Sequence, residues 1–271
     1  MASKKKGAAP KTVNLEVATI RAVLRHCRLW ASIGDDVSML PVRNDAGRAL
    51  TGDEENRLFD ACAKSRSRVL HPFVVLALHT GMRYSELRLL QWNQIDLIGK
   101  NVTVGESKTE AGTGRSVPLN ERALAMLTAW AQQFPNRKPE HYVFLSEPYG
   151  PPKKDGGATI YESTPNASTT SVQEAWQLAK RRAAVKVRLH DLRHTACTRM
   201  LEAGIPLTTV GAILGWAGST MVLMAKRYGH IGQQAKRDAM AVLDRPQPPA
   251  KAQDESNTNE SNQSQGATTV N

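Results

Sequence analysis

Between residues 95 and 119 the chain changes from helical spacing to three short β-type runs: Ile95-Asp96-Leu97, Val102-Thr103-Val104 and Arg115-Ser116-Val117-Pro118-Leu119. Gly99-Lys100-Asn101 and Ala111-Gly112-Thr113-Gly114 punctuate them, which predicts a small antiparallel sheet with tight turns. Helical patterns surround this block. Ile20, Val23, Leu24, Cys27 and Trp30 recur at helical spacing, with Arg21, Arg25 and Arg28 on other faces, predicting a helix over residues 15–33. Thr51-Gly52-Asp53-Glu54 matches a capping box and predicts a helix to about Lys64. Further helices are expected over residues 69–79, ending near Gly81, over 82–91, and after Asn120, with Leu124, Leu127 and Trp130 on one face. Four more are expected over 171–185, 191–203, 207–214 and 219–228, and Val143-Phe144-Leu145 reads as another strand. The expected fold class is α+β, mainly α-helical, with a small antiparallel sheet.

The remaining segments lack periodicity. Residues 34–49 read as a linker, and 147–170, with Pro148, Pro151, Pro152, Gly156, Gly157 and Pro165, as a surface loop. The first dozen residues, with Lys4-Lys5-Lys6, form a flexible basic arm, and residues 246–271 a disordered tail without aromatics. That tail carries one Lys against three acids, so the rest of the chain is more basic than the overall net charge of +11. Such a surplus attracts polyanions, nucleic acid foremost. No apolar run reaches the length of a bilayer span and no secretory signal is recognised, which points to the cytoplasm. Cys27, Cys62 and Cys197 are widely spaced, without CxxC or a Cys/His cluster, and are expected to be buried small hydrophobes in a reducing compartment.

Opening a phosphodiester without metal or high-energy cofactor needs a nucleophile, cations to neutralise the phosphorane, and an acid for the departing oxygen. Arginine suits the clamp, since its planar guanidinium matches paired phosphate oxygens and keeps its charge. His190 and Arg193 stand three apart at a helix start, on one face. Arg83 follows Gly81, Lys108 sits at the tip of the expected hairpin, and Tyr228 lies among Lys226, Arg227 and His230. Singly, each of these residues has an ordinary surface reading.

In combination, Arg83, Lys108, His190, Arg193, Trp216 and Tyr228 with their flanks resemble the tyrosine recombinases of the phage integrase family, over residues 50–239. The resemblance implies the fold of that family's catalytic domain. It implies a site-specific recombinase that cuts and rejoins DNA through a 3′-phosphotyrosine, without ATP, metal or other cofactor. Arg83 and Arg193 would be the phosphate clamp, Lys108 the general acid, His190 an aid to proton transfer, Tyr228 the nucleophile and Glu86 an orienting acid. The implied partner is double-stranded DNA, bound by a homotetramer, with accessory DNA-bending proteins and no membrane. Tyr84, Tyr142, Tyr149 and Tyr161 match no nucleophile position.

The chain departs from the family pattern at three places. Trp216 stands where most members have His; its indole N–H donates to an oxygen but cannot act as a base. The interval from Trp216 to Tyr228 is about one helical turn longer than usual. Members also carry a helical core-binding domain, of which only the helix over 15–33 resembles a part, its last element. The expected organisation is an arm over 1–13, the last core-binding helix and linker over 14–49, a catalytic domain over 50–245 and a tail over 246–271. Two other readings remain: a DNA-binding regulator whose residues 205–221 form a helix-turn-helix, or an integrase remnant without recombination activity.

Overall fold

Thr51 begins the helical core by the mechanism its sequence predicts. Its hydroxyl accepts from the Glu54 backbone N–H at 3.3 Å, and the Glu54 carboxylate accepts from the Thr51 N–H at 3.2 Å. In the computed structural model, residues 7–42, 47–147, 163–228, 237, 240 and 241 are described. The chain divides into two units, residues 1–218 and 219–271. Lys4-Lys5-Lys6, Tyr149, Tyr161 and residues 246–271 lie outside the described residues.

In the first unit, α2 (Gly52–Ala63) leads to α3 (Leu70–Thr80), which is apolar nearly all round and buried along its length, including Phe73, Val74 and Leu76. α3 packs against α2, α5 (Glu121–Gln132) and α7 (Leu189–Glu202), while α2 also packs against α6 (Gln173–Ala183). Between α3 and α5 lie the short α4 (Tyr84–Arg88) and the antiparallel strands β1 (Ile95–Asp96), β2 (Asn101–Thr103) and β3 (Ser116–Pro118). Val102 pairs with Val117, and this buried pair faces the core. Asn120 caps α5 by accepting from the Ala123 N–H at 2.9 Å. Phe144 lies 5.0 Å from Phe73 and 6.5 Å from Trp130 between ring centres, and the Trp130 indole N–H donates to the Val143 carbonyl at 2.8 Å. α8 (Leu207–Leu214) completes this unit.

Several boundaries differ from the sequence reading. α1 spans Pro10–His26, with proline at its first turn where the missing N–H costs nothing. It stops before Ile33 because Arg28 adopts φ 60, incompatible with a continuing helix, and two 3₁₀ turns follow. Cys62 and Cys197 are buried, but Cys27 is exposed: no residue of α1 is buried, so its position offers no core to enter. α1 is held instead by two Asn14 side-chain bonds to the Leu40 backbone, both 2.9 Å, and by Arg21 stacked 5.1 Å above Trp30. The expected loop over 147–170 contains a strand, β5 (Thr164–Ser168), paired with β4 (Leu145–Ser146). α9 spans Gly218–Tyr228, all but its first residue in the second unit. Among the described residues no helix is long and apolar enough to cross a membrane.

The core should tolerate loss of Phe73 poorly. Phe73→Ala is expected to lower the unfolding free energy by about 3–5 kcal/mol, against less than about 0.5 for Ile98→Ala at a 96% exposed site. Urea unfolding of the two variants checks this, and similar losses would contradict the assigned core.

Candidate active site

Two helices end at this site, and each end leaves backbone carbonyls without intrahelical donors. α3 ends at Gly81, φ 62, and α8 at Gly215, also φ 62, both in the left-handed conformation glycine adopts freely. Three successive carbonyls at the end of α8 are taken by three different arginines. Arg115 Nε donates to Ile213 O at 2.9 Å, Arg193 Nη2 to Leu214 O at 2.5 Å and Arg83 Nη2 to Gly215 O at 3.0 Å. Arg193 Nη1 also reaches back to Gly81 O at 2.8 Å, so one guanidinium ties both helix ends together. The approach is close: a Cβ on Gly81 would stand 2.5 Å from Leu214 Cδ2, and one on Gly215 2.7 Å from Gly112 Cα.

Burial is the main influence lowering the Arg193 pKa to about 10, with Arg83 next. The opposing charge is Glu86, whose side chain has no exposed surface. Its carboxylate accepts from the Arg83 backbone N–H at 2.8 Å, Arg83 Nη1 at 2.8 Å, Ser107 Oγ at 2.6 Å and Arg115 Nη2 at 2.7 Å. Burial pushes this carboxyl up, but the bonds from Arg115, Ser107 and Arg83 more than offset that and hold it at about 2.

Lys108 lies exposed in the β2–β3 connection, between two anchored neighbours. Ser107 Oγ also accepts from Arg83 Nη1 at 3.0 Å, and Thr109 Oγ1 donates to Gly215 O at 3.3 Å. A 3₁₀ turn over Glu110–Gly112 replaces the simple hairpin turn expected there, because this longer connection closes over Arg83: a Cβ on Gly112 would stand 2.8 Å from Arg83 Nη1. His190 sits exposed in the first turn of α7, one turn before Arg193. Loss of solvation, then the Arg193 charge, lowers its pKa. Trp216 is half-buried directly after the Gly215 cap.

The first unit therefore brings together Arg83, Glu86, Arg193 and the Lys108 loop around the end of α8 that bears Trp216. Tyr228 is the last residue of α9, in the second unit; its side chain lies outside the described residues. Sequence reasoning missed Arg115. A signal existed: strand alternation puts Arg115 on the face of Val117 and Leu119, and a charge facing inward demands a partner. Tyr84 packs against Phe73, 5.5 Å between ring centres, and Tyr142 bridges to Gln91. Among the described residues, no group of three or more His, Cys, Asp or Glu side chains is placed to hold a metal ion. Elsewhere on this unit, an open groove of about 680 Å³ is lined by Arg48, Lys180, Arg181, Lys186 and Arg188, with Asp191 as its acid.

The sequence model of the phage integrase family matches residues 48–234, and the chain belongs to that family. It is 30% identical over 233 residues to the integrase of Salmonella phage P22, covering 84% of this chain and 56% of that one. It is 27% identical to a shufflon-specific DNA recombinase of Escherichia coli, covering 81% of this chain and 51% of that one. The chain thus spans about half the length of these curated relatives. Among solved structures, the Tn1549 transposon integrase in complex with circular intermediate DNA shares the fold. The TM-score is 0.63 at 21% identity, covering 89% of this chain and 82% of that one.

The depressed Glu86 pKa has a stability consequence. A carboxyl whose folded pKa lies below its ordinary 4.5 stabilises fully above that value and loses its contribution as pH falls towards about 2. Glu86→Gln should melt lower near neutral pH but lose less stability than the wild type on acidification. Melting temperatures measured across the acid range test this; parallel curves would contradict it.

Proposed function

We propose that this chain is the catalytic part of a site-specific DNA recombinase that cuts and rejoins strands through a 3′-phosphotyrosine. The observation that carries this reading is the pair Arg83 and Arg193, fixed by backbone carbonyls of the same helix end, in a member of the phage integrase family. Each guanidinium has five N–H donors, so anchoring uses some and leaves others for phosphate oxygens. In this reading Tyr228 Oη attacks the phosphorus, its proton passing towards His190, whose lowered pKa favours the neutral, proton-accepting imidazole near neutral pH. The P–O5′ bond breaks, Lys108 protonates the departing 5′ oxygen, and Trp216 donates its indole N–H to a phosphate oxygen. Glu86 orients Arg83 and does not react. No metal, nucleotide or other cofactor enters, because the phosphotyrosine conserves the bond energy for rejoining.

The substrate is double-stranded DNA, exchanged in a tetramer of this chain through a four-stranded junction, with accessory DNA-bending proteins, in the cytoplasm. Residues 50–245 are assigned as the catalytic domain and 14–49 as the last helix of a core-binding domain with its linker. The groove's Lys180, Arg181 and Lys186, beside Arg48 paired with Glu54 and Arg188 paired with Asp191, support a path for the phosphate backbone.

A nicked duplex that lets the cleaved end diffuse away traps the intermediate. Wild type should yield a covalent protein–DNA adduct, lost in Tyr228→Phe while DNA binding persists. Binding without adduct in either protein favours a DNA-binding regulator; neither binding nor adduct favours a remnant. On the same DNA, Lys180→Ala combined with Lys186→Ala should lower the slope of log affinity against log salt by about 1–2, and an unchanged slope excludes the groove as a phosphate path.

A further inference from the structure

We propose that Arg115 is a positioning residue that sets the Lys108 loop for acid catalysis, acting through Glu86, Ser107 and Gly112; this rests on the recombinase reading above. Arg115 immediately precedes β3, and its side chain is 6% exposed. Its bonds run in three directions. Nε holds Ile213 O at the end of α8, Nη1 holds Gly112 O at 2.6 Å and Glu86 Oε1 at 3.0 Å, and Nη2 holds Glu86 Oε2 at 2.7 Å. Gly112 and Ser107 lie on either side of Lys108 in the same connection, and Ser107 donates to the same Glu86 oxygen, Oε1. Arg115 thus grips one flank of the Lys108 loop directly and the other through a carboxylate that it neutralises.

The main chain closes the frame. Val104 N–H donates to Arg115 O at 2.9 Å, Gly114 N–H donates to Val104 O at 2.9 Å, and Thr113 Oγ1 accepts from the Ser107 N–H at 3.0 Å. Loop placement is correspondingly tight: a Cβ on Gly112 would stand 2.4 Å from Ser107 Oγ, and one on Gly215 3.0 Å from Arg115 Cδ. With its donors committed to Glu86 and to carbonyls, Arg115 has the role of a support, distinct from the clamp. Lysine cannot reproduce it, since one ammonium cannot hold a two-pronged carboxylate contact and two separate carbonyls at once.

If Arg115 serves proton delivery, its loss should matter most when the leaving group needs a proton. The test uses the full chain on a nicked duplex carrying the site at which the wild type forms its adduct. A matched duplex carries sulfur in place of the bridging 5′ oxygen; cleavage then expels a thiolate, which leaves without protonation. Arg115→Lys and Ser107→Ala are compared with wild type at saturating DNA. A displacement of the acid by about 1 Å is enough for a rate loss on the order of 100-fold. Arg115→Lys is expected to lose about that much on the oxygen duplex and at least about tenfold less on the sulfur duplex. Ser107→Ala should show the same preference to a smaller extent. An Arg115→Lys variant that cleaves both duplexes like wild type, or is slowed equally on both, overturns the proposal, since misfolding or a general clamp defect does not distinguish the leaving groups. Absence of any wild-type adduct sinks the recombinase reading itself, and is thereby told apart from failure of the role of Arg115.

Discussion

The end of α8 is a set of backbone acceptors that the protein answers with side-chain cations. Ile213, Leu214 and Gly215 present their carbonyls in succession, and the negative end of the helix dipole adds to them. Arg115, Arg193 and Arg83 would repel one another if gathered elsewhere. Here the carbonyls and the carboxylate of Glu86 hold them, and the local charge stays positive because three guanidinium groups meet one acid. Such a cluster is preorganised for an anion: its cost is met by backbone groups that would otherwise lack partners. The two left-handed glycines follow from this, for a side chain at Gly81 or Gly215 would collide with Leu214 or Gly112.

The parts of the fold legible in the sequence are those set by local chemistry. Thr51 and Asn120 cap helices because hydroxyl and amide oxygens satisfy orphan N–H groups. The apolar run of α3 reads as a buried central helix, and the three β-type runs separated by tight turns read as one antiparallel sheet. Legibility fell where partners come from far along the chain. β5, with sequence Thr-Pro-Asn-Ala-Ser, has a poor strand composition and exists because β4 supplies its pairing. α1 stops at a residue with positive φ that no composition rule marks, and the exposure of Cys27 follows from a helix without a core beneath it.

The same division runs through the site. Arg83 and Arg193 stand in short motifs beside a glycine or a histidine and were found by resemblance. Arg115 stood in a β-type run and was missed, although its bonds to Glu86 and Ile213 span 29 and 98 residues. Spacing rules see neighbours on one helix or strand; a buried ion network is defined by contacts that only the tertiary fold creates. Period-two alternation could have raised the question for Arg115, but not supplied its partner.

Desolvation acts differently on two neighbouring basic groups of the site. Burial lowers the pKa of every positively charged group, and it does so at both Arg193 and His190. Arginine starts so high that a fall to about 10 leaves it charged at neutral pH, whereas histidine starts at 6.5 and any fall leaves mostly neutral imidazole. The two stand one helical turn apart on α7, and desolvation, fuller at buried Arg193 than at His190, leaves a permanent cation beside a mostly neutral imidazole. A lysine in the place of Arg193 would begin about two units lower and approach the loss of its charge under the same burial. Burial by itself therefore favours arginine over lysine at this position.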